Sequence, residues 1–426
     1  MRKYSSSNVL LERALKSIPL GSQTFSKSIT QYPKGVSPLF IEKGYGSKVW
    51  DVDGNEYIDF VNSLAAITIG YCDNEIDRAV QAQIKNGVTF SLPHILELDV
   101  AEKLIDIIPC AQKVRFAKNG TDATSASIRI ARAFTNRDHI AVCGYHGWQD
   151  WYIGSTSRDL GVPDEVKSLT HKFQYNNIES LKKLFDEKDL ACVIMEPMNI
   201  DYPKNNFLDK VKELTHMNNA LLIFDETVTG FRFSLGGAQQ FFNVIPDLAT
   251  FGKGMANGYP LSAVVGSNEI MQKVEDIFFS GTFGGETLSL AAANAVIDKY
   301  TRQDVIDHLF NLGSNLLSEL DQLIKKNKLN NIFYTAGHPS WSFLQIKEQQ
   351  KYSSFEIKTF FLQEMFKRGI LTLGAHNLSF SHTKDDLDNL ILAYEDVLPM
   401  VKEKINNLSL IEAISGDILQ PLFKVR

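Results

Sequence analysis

The chain of 426 residues is 44% hydrophobic and 22% charged, enough apolar material for a large buried core and too much for a disordered polymer. Its 44 Lys+Arg against 50 Asp+Glu leave a net charge of -6, which excludes the general basic footprint of a nucleic-acid binder. No apolar run approaches the ~18 residues of a membrane span, and the opening segment interrupts its apolar pattern with polar and charged residues, unlike a secretory leader; a cytoplasmic protein with no membrane partner is expected.

Residues 8–17 predict a short amphipathic helix, and the polar loop after it carries Pro33 and Pro38. In LFIEKGYGSKVWDVDGNEYIDF, apolar and polar residues alternate on both sides of Asp53-Gly54-Asn55, the signature of a hairpin turn. An EF-hand reading of Asp51 and Asp53 fails, because a loop counted from Asp51 puts Gly54 fourth and Asn62 twelfth, where glycine at six and glutamate at twelve are required. From about residue 75 to 300, strand-like runs (VRF, HIAVC, ACVIM, LLIF, DLATF, LSAVVG) alternate with helical ones, predicting a mostly parallel sheet covered by helices. Beyond 310, helical patterns over 304–327 and 384–405 flank short strand-like pieces near 341–346 and 370–373. The expected division is a helix, loop and hairpin segment over 1–62, a large α/β domain over 63–305 and a smaller α+β domain over 306–426.

The four cysteines form no CxxC pair and read as reduced, small hydrophobes. His139, Cys143 and His146 share HIAVCGYH, but IAVC reads as a buried strand that leaves His146 beyond its end, so no metal site is expected.

Chemistry is expected just after strands, where open α/β sheets bind ligands. After VRF, Gly120 and Thr121 open a helix whose free N–H groups and hydroxyl suit phosphate, or form a plain capping turn. The run LLIF delivers Asp225 and Glu226 to the same edge, as the partner of a cation or proton-bearing nitrogen, a helix cap, or a pair for Arg232. Lys253 lies between Gly252 and Gly254 after LATF and could bind phosphate or form a Schiff base. The spacing GxGxxxG is one residue too long for a dinucleotide fingerprint, and no helical pattern starts until well past Pro260. Tyr145 and Trp148 supply aromatic faces or local packing, and Gly281-Thr282 precede a helix starting near Thr287. Taken together, an aromatic plate, a phosphate-cradling turn, a buried carboxylate and a loop lysine are the parts that hold pyridoxal 5'-phosphate.

These segments, with KVWDVDGNEYIDF, CGYHGW, VIMEPMN, LLIFDETVTGFR and GTFGGETLSLAAA, resemble the class III, fold-type I aminotransferases over nearly the whole chain, and most closely the branch containing glutamate-1-semialdehyde 2,1-aminomutase. The resemblance implies that Lys253 carries the cofactor as a Schiff base and Asp225 partners its ring nitrogen. Gly120 and Thr121 then hold the phosphate, Tyr145 stacks on the ring, Glu196 is an active-site acid, and Thr282 reaches the phosphate across a homodimer interface. It further implies a ping-pong exchange between an amino-acid donor and a small carbonyl acceptor, a sugar or phosphorylated carbonyl among the candidates. Two departures stand out. Thr227 replaces the valine or isoleucine usual two residues after the aspartate, and Lys27 falls where the aminomutase has a carboxylate-clamping arginine, whose bidentate fork lysine lacks. Residues 151–166 also differ from the aminomutase lid. Transfer to a separate acceptor is therefore preferred over the mutase reaction; a cofactor-binding interaction protein without turnover is disfavoured by the presence of both Lys253 and Asp225.

Overall fold

A computed structural model describes residues 2–420. The chain forms two units, one of residues 2–73 with 307–420 and one of residues 74–306. In the first unit, β1 (Ile41–Tyr45), β2 (Lys48–Asp51) and β3 (Glu56–Asp59) make an antiparallel meander. The expected hairpin is its second half, with Asp51 Oδ1 accepting the N–H groups of Asp53 and Asn55 across the turn.

The second unit holds β4 (Lys113–Ala117), β5 (His139–Cys143), β6 (Thr170–Lys172), β7 (Leu190–Met195), β8 (Leu221–Asp225), β9 (Leu248–Phe251) and β10 (Ser262–Gly266). They form one sheet in the order β4-β10-β9-β8-β7-β5-β6, in which β10 alone runs against the others. Every residue of β7, β8, β9 and β10 is buried, as continuous apolar runs demand when both sheet faces are covered. The helix Gly120–Thr135 presents Ile130 and Ala131 to a core shared with Ile140, Ile194, Ile223 and Val264. The architecture is the expected α/β class with a mostly parallel large sheet.

The remaining strands, β11 (Phe333–His338), β12 (Trp341–Ile346), β13 (Ile370–Leu371) and β14 (Ala375–Asn377), belong to the first unit. There β13 pairs in parallel with β3, Ile370 opposite Ile58, so residues 1–62 do not stand as a separate segment. Four-residue strands cannot bury their faces alone, and β3 completes its sheet with chain from beyond residue 306. The helix Ser354–Lys367 was not expected: Ile357 and all of Thr359–Phe366 are buried, so no amphipathic period marks it. Its capping box, Ser353 with Glu356, is the signal that would have found it. Among the described residues no helix is long and apolar enough to cross a membrane.

Candidate active site

Because β4, β5, β7, β8 and β9 point the same way, the residues that follow them meet at one edge of the sheet. Asp225 closes β8 and is buried there. Its Oδ1 accepts from the Thr227 hydroxyl (2.6 Å), the Thr227 N–H (3.1 Å) and the Thr250 hydroxyl (3.1 Å). Its Oδ2 faces His146 Nδ1 at 2.9 Å. Burial alone would raise its pKa; the hydrogen bond and charge of His146, with the Thr227 donors, outweigh burial and hold it below the usual carboxylate range. The other ring nitrogen of His146 lies 3.2 Å from the Cys143 carbonyl, so both nitrogens face oxygen atoms that can accept.

The next residue does something else. Glu226 turns away and accepts from the Thr229 hydroxyl (2.5 Å), the Ala238 N–H (2.6 Å) and the Gln239 N–H (2.8 Å). It thereby ties down the start of the short helix Ala238–Phe241. Of the two acids the sequence offered, Asp225 enters the site and Glu226 is structural.

Lys253 follows β9 in the left-handed region (φ 43°), a costly conformation for a side chain with a Cβ. It opens the 3₁₀ turn Lys253–Ala256, whereas no helical turn was expected before Pro260. Burial depresses its ammonium pKa, opposed by the nearby carboxylates Glu196 and Asp225 and assisted by Arg232. An amine whose pKa is lowered by burial is suited to nucleophilic attack and proton transfer.

The helix Gly120–Thr135 starts at the same edge. Among the described residues, the N–H groups of Gly120 and Thr121 make no hydrogen bond, and the Thr121 hydroxyl accepts the Trp148 N–H at 3.3 Å, leaving its own proton to donate. That is an anion site by geometry and dipole. Asp122 instead caps the Asn119 N–H at 2.8 Å. A Cβ on Gly120 would sit 3.0 Å from the Thr227 methyl, and one on Gly147 (φ 110°) would sit 2.2 Å from the Thr121 hydroxyl oxygen. Both glycines therefore permit close approach of backbone to the site walls.

After β5, Tyr145 is half exposed, edge-on to Tyr152 at 5.6 Å, and its N–H donates to Glu196 Oε2 at 3.0 Å. Glu196, just past β7, also accepts from Asn199 at 3.1 Å, and burial then the Asp225 charge raise its pKa. Trp148 is 68% exposed and takes no part in core packing. His139 pairs with His171 at 3.0 Å while His146 faces Asp225; Cys143 has its thiol pKa pushed up to about 12 by burial.

Thr282 is not gathered into this set. It is exposed and lines a cleft of about 550 Å³ with Lys118 and Asp122, which flank Gly120-Thr121, and with Arg115, Ser125 and Arg129. Sequence reasoning missed His146 and Thr250. His146 had been weighed only as a metal ligand, because its partner lies on β8, two strands from β5 in an order no sequence period reveals.

The donors at Gly120 and Thr121, the ionised acid Asp225 and the amine of Lys253 fit a phosphorylated, ring-bearing aldehyde cofactor. Residues 31–383 match the family model for aminotransferase class-III. A 3-aminobutyryl-CoA aminotransferase of Cloacimonas acidaminovorans is 35% identical over 94% of this chain and 98% of its own. Glutamate-1-semialdehyde 2,1-aminomutase of Francisella tularensis is 36% identical over 78% of this chain and 81% of its own. Among solved structures, the internal aldimine form of FumI from a Sphingopyxis species superposes with a TM-score of 0.87 at 26% identity, covering 95% of this chain and 97% of that one. The chain belongs to the class III aminotransferase family: it is a fold-type I enzyme, and its cofactor is pyridoxal phosphate.

Proposed function

We propose that the enzyme moves an amino group from an amino-acid donor to a separate small carbonyl acceptor, of the sugar or phosphorylated carbonyl class, in two half-reactions at one site. The observation that most supports this is the convergence of Lys253, Asp225, His146 and Glu196 at one sheet edge. Pyridoxal phosphate, when bound, supplies the carbonyl and the electron sink. The N–H groups of Gly120 and Thr121 hold its phosphate, and the face of Tyr145 covers its ring. Asp225, kept ionised by its four donors, holds the proton of the ring nitrogen. Lys253 would hold the cofactor through its amine and, when that amine is free, would move a proton to and from the substrate carbon. Glu196 fixes the Tyr145 backbone and draws the Lys253 ammonium toward the site.

The mutase reading draws support from the relatives carrying that name. Against it, Lys27 stands where the mutase pattern has arginine. Lys27 is exposed in the 3₁₀ turn Phe25–Lys27 and lines a cavity of about 360 Å³ in the first unit with Tyr32, Ser63 and Tyr71. A point charge there holds a planar carboxylate with less directional precision. The match over nearly the full length to a protein named as an aminotransferase supports the same choice.

A cytoplasmic homodimer completes the proposal. Phe278 (80% exposed) and Phe283, on either side of Thr282 in sequence, leave apolar side chains open, as do Leu92 and Ile95; the Thr287 N–H donates to the Val88 carbonyl between the two segments. Apolar exposure of this kind supports pairing with a second copy. Four free cysteines agree with a reducing compartment.

The test is a half-reaction screen. An amino-acid donor alone should bleach the visible absorbance of the bound cofactor, and the acceptor should restore it. Efficient conversion of glutamate 1-semialdehyde to 5-aminolevulinate with no added donor would overturn transfer in favour of the mutase.

A further inference from the structure

Asp225 Oδ1 receives three donors although a carboxylate oxygen has two lone pairs, while Oδ2 receives only His146. Thr227 contributes two of the three, its N–H and its hydroxyl, and the hydroxyl bond at 2.6 Å is the shortest of the set. The methyl group lies beside Gly120 and Gly252, 3.0 and 3.5 Å from where a Cβ on each would stand, so the glycines leave the room Thr227 occupies.

We propose that Thr227 is a positioning residue that sets the charge Asp225 presents to the cofactor ring: its hydroxyl adds a third donor to Oδ1 and withdraws negative charge from a carboxylate that the other partners hold in place. The inference rests on Asp225 being the ring nitrogen's partner. The other ionisable groups around Asp225 are His146 after β5, Glu196 after β7, Lys253 after β9, and the phenols of Tyr145 and Tyr152. None of these is altered by replacing Thr227 with an isostere, so the hydroxyl can be tested by itself.

In Thr227→Val the shape is kept and the donor is lost. The Thr250 hydroxyl, the backbone N–H of residue 227 and His146 still hold the carboxylate in place, so the dominant change is in charge. More negative charge then faces the ring and stabilises its protonated form. Partial transmission of one charge-assisted hydrogen bond to the ring moves a titration by roughly half to one pH unit.

The experiment follows the visible spectrum of the cofactor-loaded protein against pH for wild type, Thr227→Val, Thr227→Ser and Asp225→Ala. The expected result is an upward shift of the spectral midpoint in Thr227→Val, restoration to the wild-type midpoint in Thr227→Ser, and a larger change in Asp225→Ala. A midpoint unchanged or lowered in Thr227→Val, with Asp225→Ala still displaced, overturns the role of Thr227 alone. A shift shared by Thr227→Ser assigns the effect to the methyl group and overturns it equally. An unchanged midpoint in Asp225→Ala instead removes the assignment of Asp225 on which the inference stands.

Discussion

At the carboxyl edge of the seven-stranded sheet, Asp225 is buried as an anion beside His146 and within the electrostatic reach of Lys253. Between β12, β14 and the helix Lys384–Asn406, His376 is buried as a neutral ring, its nitrogens 2.9 Å from the Ser342 hydroxyl and 2.7 Å from the Tyr394 hydroxyl. Burial lowers the His376 pKa to about 3, with hydroxyl partners that carry no charge to oppose it. The difference lies in the company each group keeps. A buried group among hydroxyls is silenced and serves packing, whereas buried groups of opposite sign at a sheet edge retain reactive protonation states.

The comparison breaks most completely at Lys253. Lys253→Ala removes the amine that binds the cofactor, so turnover should vanish in a steady-state assay while circular dichroism and melting temperature remain near wild type. Asp225→Ala should retain covalently bound cofactor and lose turnover by two or more orders of magnitude, because the ring nitrogen loses the charge that keeps it protonated. Near wild-type turnover in that variant would mean that another group pairs the ring.

Glu226 sharpens the contrast from one residue away. Glu226→Gln keeps the side chain's size but weakens the cap on Ala238 and Gln239, so denaturant unfolding should register a loss of about 1–3 kcal/mol, with turnover per folded molecule unchanged. A selective loss of turnover would place Glu226 in the chemistry.

The smallest effect concerns His376. Its folded-state pKa lies below the unfolded value near ~6.5, so below that pH the unfolded chain binds a proton that the folded chain refuses. Stability therefore falls as pH drops from about 6.5 toward 3. His376→Gln should flatten this slope in unfolding curves measured between pH 7 and 5, and an unchanged slope would contradict the neutral, buried assignment.

The parallel sheet and its edge were legible in the sequence because buried parallel strands write themselves as unbroken apolar runs, and each run (LLIF, LATF, ACVIM) ends abruptly at a polar or glycine residue. That abruptness marked Asp225 and Lys253. Which of Asp225 and Glu226 faces the site was not legible, since one residue's difference in direction is set by the pleat and by the distant capping demand of Ala238 and Gln239. The pairing of His146 with Asp225 depends on strand order and was equally hidden. The helix Ser354–Lys367 escaped because burial nearly all round erases the periodicity that identifies helices at surfaces.

The central claim is that Lys253, at the end of β9 within electrostatic reach of Glu196 and Asp225, is the residue that carries the cofactor. Borohydride reduction of the loaded protein fixes that bond, and peptide mass spectrometry reads its position. The account predicts a single pyridoxyl-phosphate adduct on the peptide containing Lys253; an adduct on any other lysine, with Lys253 unmodified, would contradict it.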